Sequence, residues 1–185
     1  MHALAYWPDC DDLVPMLMPP GEGGLFVDVG ANLGACTLRV AAERRWMVHA
    51  FESGPTNLRH LRAGLRRMAA RPPWVTLHAT ELVAASTLDA ELWPDEAAEP
   101  PRIRVLKLDV QGPHEVLRGA RRLLAARAIA AVKTKKKTRA LCTLLADAGF
   151  RFQDVMVASL PLYTSVDRCA IGNNDLLAFL RPINA

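Results

Sequence analysis

The chain has 185 residues, of which 51% are hydrophobic and 23% charged, and carries a formal net charge of +4. That length favours one domain able to bury a core without metals or disulfides, and the composition excludes a disordered or collagen-like chain. No apolar run reaches the length of a membrane span, and the small positive charge permits an anionic partner without requiring one. The four cysteines, Cys10, Cys36, Cys142 and Cys169, show no CxxC spacing, which argues against a zinc ribbon or a thioredoxin-like motif. Read as scattered single thiols behind a start that lacks a basic and apolar leader, they point to a cytoplasmic address.

Residues 1–24 are rich in Pro and Gly and have no clear period, and read as an arm or a short helix. The arm is taken as residues 1–20 and a single domain as residues 21–185. The turn Gly21-Glu22-Gly23-Gly24 leads into an apolar run of strand length, residues 25–29. Residues 33–45 follow with apolar side chains at helical spacing, and residues 46–51 form a second strand. Pro55 opens a helix through residue 68, whose apolar face is Leu58, Leu61, Leu65 and Met68. Residues 74–78 are a third strand, and residues 80–101 show little periodicity. Residues 103–108 are a fourth strand with its helix at 113–126, and residues 128–132 begin a fifth. The run Lys133-Thr134-Lys135-Lys136-Lys137 reads as a solvated strand-to-helix loop. A helix over 138–148 can end at Gly149, and residues 150–158 and 176–180 are late strands. Strands alternating with helices imply an α/β domain with a mostly parallel, doubly wound sheet.

The informative segment is Phe26-Val27-Asp28-Val29-Gly30-Ala31-Asn32-Leu33-Gly34, a buried strand running into a glycine-bearing turn and then a helix. Small residues there let a ligand approach the backbone, and the helix start offers free N–H groups. A dinucleotide fingerprint GxGxxG fails at Asn32 and Ala35, whereas GxGxG spacing keeps Gly30 and Gly34. The turn therefore fits S-adenosylmethionine better than a pyrophosphate. Glu52, about twenty residues on and just past the second strand, can accept hydrogen bonds from both ribose hydroxyls. As an alternative, it is a solvated acid favoured near a helix N-terminus.

The stretches 26–38 and Ala50-Phe51-Glu52-Ser53-Gly54-Pro55-Thr56-Asn57-Leu58 resemble the opening of an FkbM methyltransferase domain. Ser86-Thr87-Leu88-Asp89 resembles that family's TLD box, and Leu106-Lys107-Leu108-Asp109-Val110-Gln111-Gly112 its KIDVEG box. The resemblance spans residues 21–182 in four ordered boxes. It implies a Rossmann-like methyltransferase fold with a late antiparallel strand, S-adenosylmethionine as methyl donor, and transfer to a hydroxyl of a small molecule or glycan. It also implies that Asp28, Gly30, Asn32 and Gly34 line the methionine side of the cofactor, that Glu52 takes the ribose, and that Asp109 faces the transferring methyl.

Methyl transfer is an in-line displacement that gains most from alignment, and a hydroxyl nucleophile must also lose its proton. Asp109 is the candidate base. His114 reads instead as a first-turn helix residue, and His49 and His78 as packed strand residues. Against the family pattern, Gln111 replaces a Glu, residues 71–102 are short, and residues 131–137 stand where a strand usually ends in an acid. These departures suggest an alternative, a catalytically weak remnant acting as a binding module. A nucleic-acid methyltransferase has only the basic charge behind it. No tight nucleic-acid binding and no metal site are expected.

Overall fold

The structure is a computed structural model that describes residues 10, 17–19, 21–68, 73–154, 162–171 and 175–180. Its elements run β1 (Leu25–Val29), α1 (Ala35–Glu43), β2 (Met47–Phe51), α2 (Pro55–Arg67), β3 (Val75–His78), α3 (Leu88–Leu92) and β4 (Ile103–Leu108). After these come α4 (Pro113–Arg118), α5 (Arg121–Ala125), β5 (Ile129–Thr134), α6 (Arg139–Asp147), β6 (Arg151–Asp154), α7 (Val166–Ala170) and β7 (Leu176–Phe179). One seven-stranded sheet has the order β3-β2-β1-β4-β5-β7-β6. β1 to β5 pair in parallel, and β7 lies antiparallel between β5 and β6. The doubly wound α/β fold with a late antiparallel strand is the one the sequence implied.

The central strands are apolar on both faces because both are covered. One face of the sheet, with Val29, Leu106 and Val132, packs on Leu88 of α3, Leu117 of α4, Leu123 of α5 and Leu141 of α6. The other, with Phe26, Val48 and Val105, packs on Val40 of α1 and Leu61 of α2. Cys10, Leu17 and Met18 of the expected arm are buried in that second cluster; the rest of residues 1–16 lies outside the described residues.

Three expectations need correction. The helix expected over 113–126 is two helices, broken at Gly119 and Ala120. The cause lies in the TLD box. Thr87 caps α3 by accepting from the Ala90 amide, and the Asp89 carboxylate accepts from the amides of Arg122 and Leu123. The Asp89 amide donates to the Gly119 carbonyl. An acid from α3 thus caps α5 and starts a second helix where the local pattern reads as one. The nominally structureless stretch 80–101 accordingly contains α3.

Secondly, β5 runs on through Lys133 and Thr134, both buried, so the lysine run does not begin as a solvated loop. Thirdly, the cysteines are not single thiols. Cys10 pairs with Cys36 and Cys142 with Cys169, across sequence separations of 26 and 27. The second bridge ties α6 to α7, a helix with no forerunner in the sequence reading, and pairing removes the cysteine argument for a reducing compartment. Of the late strand expected over 150–158, β6 covers Arg151–Asp154 and residues 155–158 lie outside the described residues. Among the described residues no helix is long and apolar enough to cross a membrane, and no three His, Cys, Asp or Glu residues could hold a metal ion.

Candidate active site

The carboxyl ends of β1, β2 and β4 meet at the glycine turn. Gly30 (φ +77), Asn32 (φ 54) and Gly34 (φ +92) all take the left-handed conformation, open to Gly and tolerated by Asn. The amides of Gly30 and Ala31 both donate to the Phe51 carbonyl at 3.0 Å, while the Asp109 amide donates to the Val29 carbonyl at 3.0 Å. A Cβ on Gly30 would overlap the Asp109 carbonyl oxygen. Glycine therefore lets the ends of β1 and β4 close on each other, which sets Asp109 beside the turn. Gly34 is the N-cap of α1 and no side chain caps this helix. Its first-turn N–H groups are left for an anionic ligand group, which the helix dipole also favours.

Glu52 stands at the end of β2. Its Oε2 accepts from the Asn32 amide at 2.9 Å, and its Oε1 from the Gly54 amide at 2.7 Å and Asn57 Nδ2 at 3.3 Å. It joins the glycine turn to the start of α2 and is partly exposed. A carboxylate has about four lone-pair sites, so capacity remains for a ligand hydroxyl.

Asp28 is fully buried beneath the turn. Its Oδ1 accepts from Lys107 Nζ and its Oδ2 from Thr37 Oγ1, each at 2.8 Å. Asp28 and Lys107 are register partners on β1 and β4, and Lys107 is in turn the register partner of Lys133 on β5. Lys133 Nζ lies 2.7 Å from Asp175. A row of four charges thus crosses the sheet just under the cleft. Asp109 above it is partly exposed, with Lys107 Nζ at 3.8 Å and Lys135 Nζ at 3.6 Å. The N-cap of α4 is Gly112, and among the described residues no amide is seen donating to the Asp109 carboxylate.

The lysine run closes the far side. Lys137 is buried with its Nζ 3.0 Å from Asp154, and Lys136 Nζ donates to the Gln111 Oε1. The sequence reading missed Lys107, Lys133 and Lys137 as members of this site. A signal did exist, since Asp28, Lys107 and Lys133 each stand one residue before the end of a largely apolar strand. Adjacent parallel strands place such residues side by side.

Among the described residues no histidine ring hydrogen-bonds to these groups. His114 is in the first turn of α4, and its Nδ1 is buried with no hydrogen-bond partner among the described residues. His49 Nδ1 and His78 Nε2 are 2.9 Å apart, and His78 Nδ1 is 2.9 Å from Glu91 Oε2. His78 also stacks on Phe51 at 4.1 Å. Burial, and then the neighbouring His78, lower the His49 pKa. Glu91 is held below its ordinary value first by a hydrogen bond with Ser86, against an opposing effect of burial, and further by His78.

No family model and no curated protein matches the sequence. Solved structures do match in shape. A precorrin-6y C5,15-methyltransferase from Geobacter metallireducens superposes with a TM-score of 0.58 at 14% identity, over 92% of this chain and 87% of that one. A magnesium protoporphyrin IX methyltransferase from Synechocystis, with bound SAM, gives 0.58 at 12% identity over 92% and 77%. An rRNA methylase from Streptococcus thermophilus gives 0.53 at 16% identity over 95% and 96%. The chain has the Rossmann-like methyltransferase fold. Within this methyltransferase fold, the left-handed turn, Glu52 and Asp109 share the carboxyl edge of the sheet, where open α/β sheets take their ligands.

Proposed function

We propose that this chain is an S-adenosylmethionine-dependent methyltransferase of the FkbM kind that methylates a hydroxyl on a small molecule or glycan. One observation carries the reading. The Glu52 carboxylate accepts from the Asn32 amide inside a left-handed glycine turn and from the Gly54 amide at the start of α2, and Gly30 of that turn lies against Asp109. The residues suit the cofactor. The uncapped start of α1 at Gly34 suits a carboxylate, and the remaining lone pairs of Glu52 suit ribose hydroxyls. Gly30, Asn32 and Gly34 hold the turn open, and Asp28 supports it from beneath through Thr37 and Lys107.

When bound, S-adenosylmethionine supplies a methyl group on a positively charged sulfur. The chain's own task is to fix the acceptor oxygen in line and to take its proton. Asp109 is placed for both, because its partly exposed carboxylate stands at the end of β4 beside the turn. Lys107 Nζ and Lys135 Nζ lie 3.8 and 3.6 Å from one oxygen of that carboxylate.

Calorimetric titration with S-adenosylmethionine tests the reading. Saturable binding is expected, and Glu52→Ala should weaken it by about 1.5–3 kcal/mol, the worth of hydrogen bonds to a charged acceptor. Unchanged affinity in a folded variant overturns the site. The second reading, a binding module without turnover, draws on the ammonium groups already engaging Asp109 and on Gln111 in place of an acid. It predicts cofactor binding with no methyl transfer to any acceptor. Tight nucleic-acid binding is not expected, since the side chains of Lys133 and Lys137 are buried against Asp175 and Asp154 and break the lysine run as a basic strip.

A further inference from the structure

We infer that the acceptor carries an anionic group, a carboxylate or phosphate on a small molecule, and that Lys136 and Gln111 receive it beside Asp109. The inference rests on the methyltransferase reading and deepens it by giving the acceptor a charge.

The lysines at the carboxyl edge do not all meet a carboxylate. Lys107 faces Asp28, Lys133 faces Asp175, Lys137 faces Asp154, and Lys135 shares Asp109 with Lys107. Lys136, the exposed member of the run, meets the neutral amide oxygen of Gln111 instead of a carboxylate. A glutamate at position 111 would cancel that cation. Glutamine leaves it, and its amide NH2 is a further donor. The ammonium of Lys136 keeps two further N–H donors.

The pair is also preorganised. Thr134 Oγ1 accepts from the Lys136 amide at 3.2 Å and donates to the Lys136 carbonyl at 3.3 Å. Thr138 caps α6 by accepting from the Leu141 amide, so both ends of the short loop are fixed. A loop already ordered loses little freedom on binding. Both residues sit just past the ends of β4 and β5, paired strands, and Asp109 is two residues before Gln111. An anion seated here would bring an attached hydroxyl to Asp109. One exposed cation on a loop without an aromatic neighbour in sequence suits a single anionic group better than a nucleic-acid strand, which needs stacking partners and a charged track.

The test titrates the protein, saturated with S-adenosylhomocysteine, with inorganic phosphate and separately with malonate, and follows amide chemical shifts at residues 109–112 and 134–138. Saturable, salt-sensitive shifts are expected for one or both anions, and the stronger arm names the preferred group. Gln111→Glu should weaken that binding about tenfold, and Lys136→Gln likewise, by loss of a charge-assisted contact. Affinity for S-adenosylhomocysteine should stay within twofold in both variants, which also shows that they are folded. Absence of saturable shifts in the wild type, or equal anion affinity in Gln111→Glu, overturns the inference. So does a short single-stranded RNA that binds at least a hundredfold more tightly than either anion. If S-adenosylhomocysteine itself fails to bind the wild type, the methyltransferase reading fails, and the anion titration is then read on the free protein.

Discussion

Replacing Lys107 with Met should destabilise the chain by about 3 kcal/mol or more. Lys107 and Asp28 are 4% and 0% exposed, and their charges meet at 2.8 Å. Taking away one partner of a buried pair leaves an uncompensated charge, a loss of about 3–5 kcal/mol. Two features temper it. Asp28 keeps its hydrogen bond from Thr37, and Lys107 no longer faces Lys133 across the β4–β5 register, a like-charge relief of about 1 kcal/mol or less. Met is unbranched and of similar length, so little of the effect comes from a cavity. For a domain of this size each kcal/mol is worth about 2–4 °C in Tm, so the midpoint should fall by roughly 6–12 °C. Adding Asp28→Leu should recover most of this, because an apolar replacement of the whole pair is often neutral. Urea titration and scanning calorimetry of the two single variants and the double variant, without cofactor, measure the coupling. A loss under about 1 kcal/mol in Lys107→Met, or a double variant no more stable than the single, would refute the buried pair.

Asp109→Asn should keep cofactor affinity and lower turnover by roughly a hundredfold or more; an unchanged rate in single-turnover assays removes Asp109 from the reaction. His49 has a folded pKa below its ordinary value of 6.5, so the unfolded chain binds the proton more readily. Its contribution to stability is therefore present above pH 6.5 and lost as pH falls below it, and His49→Leu should flatten the decline in Tm between pH 7.5 and 5.5. An equally steep decline in the variant would assign the effect elsewhere. Cys142→Ser with Cys169→Ser opens a link of sequence separation 27, worth about 3.5 kcal/mol in the chain-entropy view. Calorimetry without reductant should place the midpoint roughly 7–14 °C lower; no change would mean the thiols are not paired.

Local order was written plainly in the chain. The strand 25–29, its left-handed turn at Gly30, Asn32 and Gly34, the acid at Glu52 and the Gly149 stop depend on neighbours a few residues away, and apolar period and glycine placement report them directly. The alternation of these elements was enough to imply the parallel sheet. What the tertiary structure alone decided are the pairings between distant residues. Lys133 and Lys137 read as solvated because lysine is buried only when a counter-charge is waiting, and Asp175, just ahead of β7, and Asp154 of β6 supply it. The partner of Asp28 is Lys107, 79 positions away. Asp89 broke a helix that begins 24 residues later, and four cysteines became two bridges. In each case the deciding energy is that of a charge, an amide or a thiol meeting its partner in a water-poor interior, and no periodicity along the chain encodes which partner that is.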